Sequence, residues 1–169
     1  MEKVIVIGCP GSGKSTFSRA LRTATGLPLY HLDMLFWNAD RTTVPRPVFL
    51  ERLSQAMSTD SWIIDGDYAS TMELRLQACD TVFFLDLPLK ECMDGLAKRH
   101  GLPRPDLPWV EGSDPKEDAE FQEYVRAYAS ERRPATLALL DKYTDKEIIV
   151  FRSREEINVY LSSLSNSCI

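Results

Sequence analysis

The sequence predicts an α/β fold in three layers, a five-stranded parallel sheet covered by helices on both faces. Three observations predict it. Short apolar runs recur at residues 4–7, 62–64, 82–85 and 148–151, each bounded by turn residues, as buried parallel strands require. Stretches with apolar residues at helical spacing fall between them, and this alternation closes as parallel strands joined by crossover helices. The 169 residues, 44% of them apolar, suit one domain with one core rather than two.

The elements follow in order. Val4-Ile5-Val6-Ile7 runs into Gly8 and reads as the first strand. A helix should cover residues 14–25 and stop at Gly26 and Pro28. Residues 29–32 can form a short second strand. Phe49, Leu50, Leu53 and Met57 sit at helical spacing and predict a helix over residues 48–58. Trp62-Ile63-Ile64 ends at Asp65-Gly66 and reads as the third strand. The fourth, Val82-Phe83-Phe84-Leu85, ends at Asp86, which is expected to cap the helix beginning after Pro88. Leu89, Cys92, Met93 and Leu96 mark that helix up to Gly101.

Residues 101–115 contain four prolines and two glycines. They read as a surface loop with few core contacts, long for a compact domain, and loops of that size often carry function. Residues 117–133 are polar and helical in pattern; Pro134 should break them, with a second helix running to about Tyr143. The fifth strand covers residues 148–151. Ser153 and Glu156 form a capping box for a last helix carrying Ile157, Tyr160, Leu161 and Leu164. The sequence has no internal repeat and no low-complexity segment.

Composition excludes several classes of function. The net charge is -5, and there is no helix-turn-helix pattern or basic stripe, which weighs against direct DNA binding. Cys9, Cys79, Cys92 and Cys168 form no C-x-x-C pair, and His31 and His100 are the only histidines, so a zinc site is not expected. Scattered thiols suit a reducing compartment. No apolar run approaches the ~20 residues of a membrane span, and the start is too short and too acidic for a signal peptide. A soluble, cytoplasmic protein with no membrane partner is the expectation.

The most specific motif is Gly8-Cys9-Pro10-Gly11-Ser12-Gly13-Lys14-Ser15, which matches G-x-x-x-x-G-K-[ST] between a predicted strand and a predicted helix. Glycines let the backbone wrap an anion, and the helix adds the positive end of its dipole. Residues Gly8 to Thr16 are therefore the expected cradle for the phosphates of ATP or GTP. Lys14 should reach the β- and γ-phosphates, and the Ser15 hydroxyl should ligate Mg²⁺.

With its extra Gly11 the motif becomes G-x-x-G-x-G-K-S, which resembles the adenylate kinase and shikimate kinase group of small P-loop phosphotransferases. The N-K-x-D motif of regulatory GTPases and the signature segment of transport ATPases are missing. Leu29-Tyr30-His31-Leu32-Asp33, Trp62-Ile63-Ile64-Asp65-Gly66, the run from Ala78 to Asp86 and Arg132-Arg133-Pro134 together resemble the adenylate kinase-related family labelled topology modulation proteins. The resemblance covers nearly the whole chain. It implies a P-loop NTPase fold with a nucleotide-kinase architecture and a helical lid at about residues 99–133. It supplies no acceptor, although the label speaks of DNA topology.

It also implies roles for particular residues. In shikimate kinase-like proteins an aspartate at the position of Asp33 faces acceptor and metal, so Asp33 would position the acceptor or serve as its base. Asp65 resembles the Walker-B acid that holds Mg²⁺ through water. Arg99 and Arg104 flank the start of a segment that closes over the phosphates in adenylate kinase-like proteins, and Arg132 and Arg133 could complete the clamp. One departure concerns the acceptor. Adenylate kinase carries an arginine soon after the aspartate-glycine of the third strand, whereas here Gly66 is followed by Asp67-Tyr68-Ala69-Ser70-Thr71. Arg75 could substitute, or the acceptor is not a nucleoside monophosphate. Phe36, Trp37 and Tyr68 could stack on a planar ring or simply fill the core.

The function these features point to is transfer of the γ-phosphoryl group of Mg-ATP to a nucleotide, a nucleoside or another small acceptor that the sequence does not identify. The alternatives are a nucleotide-dependent regulator related to DNA topology and a plain ATPase. A cleft beside Asp33 would favour the kinase and a flat surface the regulator. Residues 101–115 are expected to be mobile without ligand and ordered by the triphosphate.

Overall fold

The computed structural model describes residues 1–112 and 114–166, so Cys168 lies outside the described residues. Five strands, β1 (Lys3–Gly8), β2 (Leu29–His31), β3 (Trp62–Asp65), β4 (Thr81–Leu85) and β5 (Glu147–Phe151), pair entirely in parallel in the order β2-β3-β1-β4-β5. Their side chains alternate between two cores, as the pleat dictates. Ile5, Ile7, Trp62, Ile64, Val82 and Phe84 face one side, where they meet α3 (Arg46–Met57), α4 (Met72–Ala78) and α7 (Arg133–Leu140). Val4, Val6, Ile63, Phe83 and Leu85 face the other, where they meet α1 (Lys14–Thr25), α5 (Leu89–Arg99), α6 (Pro115–Glu131) and α8 (Arg154–Asn166). The expected three-layer α/β/α sandwich is therefore present. No helix among the described residues is long and apolar enough to cross a membrane.

Register fixes what stands at the carboxyl edge. Val6 pairs with Asp65, His31 pairs with Asp65 from the other side, and Gly8 pairs with Leu85. The start of the glycine-rich loop, His31 and Asp65 are thereby brought to one end of the sheet, the end where such folds bind ligands.

Some expectations need correction. Leu32 does not extend the second strand; it opens a short helix, α2 (Leu32–Phe36), which carries Asp33. A second unforeseen helix, α4, follows a single 3₁₀ turn at Ala69–Thr71. Asp86 does not cap α5: Pro88 is the N-cap and no side chain caps the helix, and the Asp86 carboxylate instead accepts from Arg133 Nε at 2.6 Å and Nη2 at 2.7 Å. The proline-rich segment after α5 is no loose surface loop, because Asp106 and Leu107 within it are buried. The Ser153 hydroxyl accepts from the Glu156 amide at 3.2 Å as foreseen, but the Glu156 carboxylate returns to the Arg152 amide at 2.6 Å.

One contact sets the position of α5. A Cβ added at Gly95 would lie 2.1 Å from the Gly11 carbonyl oxygen, and one added at Gly11 would lie 2.1 Å from the Cys92 carbonyl oxygen. Helix and phosphate loop thus touch backbone to backbone. Gly95→Ala should gain about 1 kcal/mol of helix propensity, yet it must push α5 off the loop. The expected net result is a loss of about 1–3 kcal/mol, read as a lower urea midpoint; a raised midpoint would show that the glycine contact is dispensable.

Candidate active site

The glycine-rich loop folds because its residues can adopt what others resist. Gly11 has φ 82° and Gly13 has φ 97°, both left-handed, and Gly13 occupies the cap position of α1. No side chain caps α1, so its first-turn amides have no intrahelical acceptor and are free for an anion. The loop carbonyls are satisfied from two directions. Lys14 Nζ donates to the carbonyls of Gly8 at 2.8 Å and Cys9 at 3.0 Å. Arg154 donates to the carbonyls of Gly11 at 3.1 Å and Ser12 at 3.4 Å, and to that of Glu91 at 3.0 Å. Thr16 is exposed, and its hydroxyl accepts from Arg19 at 3.3 Å.

A cleft of about 1330 Å³ opens from Pro10, Lys14 and Ser15. It runs between α2, the turn after β3, the far end of α5, the proline-rich segment and α6. It brings together most of the residues singled out from sequence: Lys14, Ser15, Asp33, Asp65, Arg99, Arg104 and Arg132 all line it. Arg133 does not join them. It lines a separate cavity of about 350 Å³ with Cys9, Asp86 and Arg152. Arg75 is also elsewhere: it is fully buried and donates to the carbonyls of Gly66 and Tyr68, both at 2.8 Å. Burial lowers its pKa to about 10, and it serves as a brace for the turn after β3, not as the substitute phosphate grip envisaged from sequence.

The carboxylates differ in their partners. Asp33 accepts from the Tyr68 hydroxyl at 2.5 Å. Burial raises its pKa, against the hydrogen bond from Tyr68. Asp65 is 4% exposed; its Oδ1 meets His31 Nδ1 at 2.8 Å, and its Oδ2 is buried without a hydrogen-bond partner. A buried carboxylate oxygen left open in the cleft that Ser15 also lines suits an acid that answers to a hydrated cation. Asp67 accepts from the Gly8 amide at 3.3 Å and lies 3.4 Å from Arg132. Burial raises its pKa too, while Lys14 and Arg132 pull the other way.

Sequence reasoning missed Asp106. It is 4% exposed and accepts from the Ser15 hydroxyl at 2.8 Å. Arg104 lies 3.4 Å from it and Arg19 3.5 Å. Burial opposes its charge, but Arg104 and the Ser15 hydroxyl outweigh that and hold its carboxyl below the ordinary range. The lid arginines are likewise occupied: Arg99 pairs with Glu111 at 2.9 Å, and Arg104 approaches the same Glu111 at 3.7 Å. Burial lowers the pKa of Arg99. The segment after α5 thus lies on the phosphate loop, held there by Asp106. The available signal was Pro103-Arg104-Pro105-Asp106-Leu107-Pro108, where alternating prolines stiffen the presentation of a charged pair.

No protein-family model matches the sequence, and no curated protein matches it. Solved structures do. Shikimate kinase from Acinetobacter baumannii, in complex with shikimate, superposes with a TM-score of 0.60 at 15% identity, covering 100% of this chain and 96% of that one. Shikimate kinase from Bacteroides thetaiotaomicron gives 0.61 at 17% identity, with 96% of each chain covered. Deoxyadenosine kinase from M. mycoides, with bound dATP, gives 0.52 at 14% identity, covering 98% of this chain and 100% of that one. Identities this low speak for the fold alone. The chain has a P-loop, kinase-like α/β fold.

Two outcomes are expected from this geometry. The Asp33 carboxyl has a folded-state pKa raised above its ordinary 3.8, so its ionised form destabilises the fold near neutral pH. Asp33→Asn should raise Tm at pH 7, and the gain should shrink as pH falls through the raised pKa and vanish below about 3.8; a lower Tm at pH 7 would contradict the assignment. Asp106→Asn should release the latch and speed hydrogen exchange across residues 102–111 by about tenfold, the worth of one charged hydrogen bond. Unchanged protection there would mean that Asp106 does not hold this segment.

Proposed function

We propose that this chain is a phosphotransferase that moves the γ-phosphoryl group of a nucleoside triphosphate, ATP by preference, to a small acceptor hydroxyl. The observation that carries the reading is the cleft itself: it runs unbroken from the Lys14 and Ser15 end of the phosphate loop to Asp33, where a regulator would need only a surface. The kinase folds it resembles are consistent with this. The resemblance to proteins labelled for topology modulation adds no observation in the site that favours a DNA-related role.

In this reading the amides of Gly11 to Thr16 and the Lys14 ammonium take the β- and γ-phosphates. Lys14 turns from the loop carbonyls to do so. Ser15 and Asp65 would hold the Mg²⁺ that accompanies the triphosphate, and the ion would supply positive charge to the phosphates there. Asp33 accepts the proton of the acceptor hydroxyl as its oxygen attacks the γ-phosphorus, and the bond to the bridging oxygen breaks to leave the nucleoside diphosphate. Its raised pKa brings it nearer to working pH, where a base is most effective. Arg99, Arg104 and Arg132 supply positive charge to the moving group once their acidic partners let go. Arg133, fixed to Asp86, contributes by holding α7 in place.

Lys14→Ala should abolish acceptor-dependent ATP consumption and weaken Mg-ATP binding by about 10–100-fold, the loss of a charge-assisted contact, with the fold intact by circular dichroism. Calorimetry showing undiminished affinity would remove the triphosphate from this loop.

A further inference from the structure

The end of the cleft away from the phosphate loop is walled by flat rings. Phe36 packs on Tyr68 with centroids 5.0 Å apart and on Trp37 at 5.3 Å, and Trp37 packs on Trp109 at 5.9 Å. Phe36, Trp37, Tyr68 and Trp109 all line the cleft. The wall adjoins the proposed base directly, because Tyr68 donates to Asp33. It comes from two parts of the chain. Phe36 and Trp37 end α2 and enter a small hairpin, in which Trp37 and Thr43 form an antiparallel bridge, while Trp109 belongs to the lid. Arg41, held at φ 67° in that hairpin, joins them: its guanidinium lies 4.9 Å over the Trp109 ring and donates to Glu117 at 2.8 Å. A non-glycine residue kept in the left-handed region marks a conformation the surroundings enforce.

Two further observations narrow the ligand. The Trp109 indole N–H is shielded from water and has no hydrogen-bond partner, so a ligand offering an acceptor atom there would relieve an unmade hydrogen bond. And the arginines of the cleft are paired: Arg41 with Glu117, Arg99 with Glu111, Arg104 with Asp106 and Glu111, Arg132 with Asp67. Lys14 is needed for the triphosphate, and Arg75 is buried on backbone carbonyls. If Arg99 and Arg104 turn to the triphosphate, Glu111 and Asp106 are left more negative. A second phosphate or a carboxylate on the acceptor would enter a field of the wrong sign.

We propose that the acceptor is an uncharged alcohol bearing a flat heteroaromatic ring, the chemistry of a nucleoside and not of a nucleoside monophosphate or an aliphatic polyol. The ring lies against Phe36, Trp37 and Trp109, and the hydroxyl meets Asp33. The inference rests on the kinase reading of the same cleft.

The test titrates the protein, loaded with Mg²⁺ and a non-hydrolysable ATP analogue, with purine and pyrimidine nucleosides, their 5′-monophosphates and cyclic polyols. Binding is followed by calorimetry and by tryptophan fluorescence, and ATP consumption is assayed with the same compounds. At least one nucleoside should bind about tenfold or more tightly than its own monophosphate and change the tryptophan emission, since Trp37 and Trp109 line the cleft whereas Trp62 is fully buried. Trp109→Ala should cost about tenfold in nucleoside affinity and Trp109→Phe less. Tighter binding or faster turnover of a monophosphate or a polyol would overturn the acceptor class and leave the kinase reading standing. Saturable nucleoside binding with no phosphorylation would keep the ligand class and overturn the kinase reading. Binding by none of the compounds would overturn the inference.

Discussion

A loop that offers its amides to an anion must do something with its carbonyls, and much of this structure follows from that. Four consecutive-turn carbonyls, those of Gly8, Cys9, Gly11 and Ser12, are held by two long cations, Lys14 and Arg154. Arg154 reaches the loop from the last helix and ties it also to Glu91 at the start of α5. The glycine contact between Gly11 and Gly95 completes the seat. Residues far apart in sequence thus share one task, which is to keep the loop's donors unspent. The arrangement is asymmetric. Arg154 is not among the residues that line the cleft and can hold its carbonyls throughout, whereas Lys14 lines the cleft and can leave. One cation is scaffold and the other is spare charge.

The cleft carries more acid than its chemistry needs for a metal alone. Asp33 and Asp67 are half-buried, both with raised pKa values. Burial of ionised carboxylates is costly unless partners compensate. Here compensation is partial: Tyr68 offers Asp33 one hydrogen bond, and Asp67 has only long contacts, from the Gly8 amide and the Tyr128 hydroxyl at 3.3 Å and from Arg132 at 3.4 Å. A site that stabilised the ionised forms fully would lower their pKa values, and a carboxylate of low pKa is a poor base. Stability given up at Asp33 is therefore intelligible as the condition for its proposed role.

How legible all this was in the sequence depends on the range of the interaction involved. The glycine-rich loop, all five strands and the helices with long apolar stripes were legible, because their signals are local spacings. Helix α4 was not: its buried face is Met72, Arg75 and Leu76, and the arginine masks the stripe. Nor was α2, which is only five residues long and follows a strand without a break. The residues gathered at the cleft were half legible. Lys14, Ser15, Asp33 and Asp65 stand at strand ends, where topology places ligands. Asp106, Trp109, Arg41 and Arg154 depend on contacts that no local pattern encodes: Ser15 and Asp106 are 91 residues apart, and Gly11 and Arg154 are 143 apart. Arg133 shows the converse. Its neighbourhood in sequence matched a lid arginine, but a bidentate pair with Asp86 claims it first.

In the proposed reading, the contact of Asp106 with Ser15 couples nucleotide binding to movement of the segment after α5. Asp106 engages Ser15 and Arg104, two of the groups that a triphosphate with its cation would use. At Ser15 the phosphate loop meets a carboxylate from the segment after α5, which offsets part of its positive character. A ligand can shift such a balance only through stronger contact with one arrangement than with the other. A triphosphate carries several negative charges against the single charge of Asp106, and it also meets the loop amides, which the carboxylate does not saturate. Displacement is therefore favourable, and it has a fixed consequence. In the proposed reading, once Asp106 leaves Ser15, Arg104 can turn from Asp106 to the γ-phosphate. Trp109, three residues further along the same segment, already stands against Trp37 at the acceptor end of the cleft, so the charge of the donor site and the wall of the acceptor site are joined through one short stretch of chain.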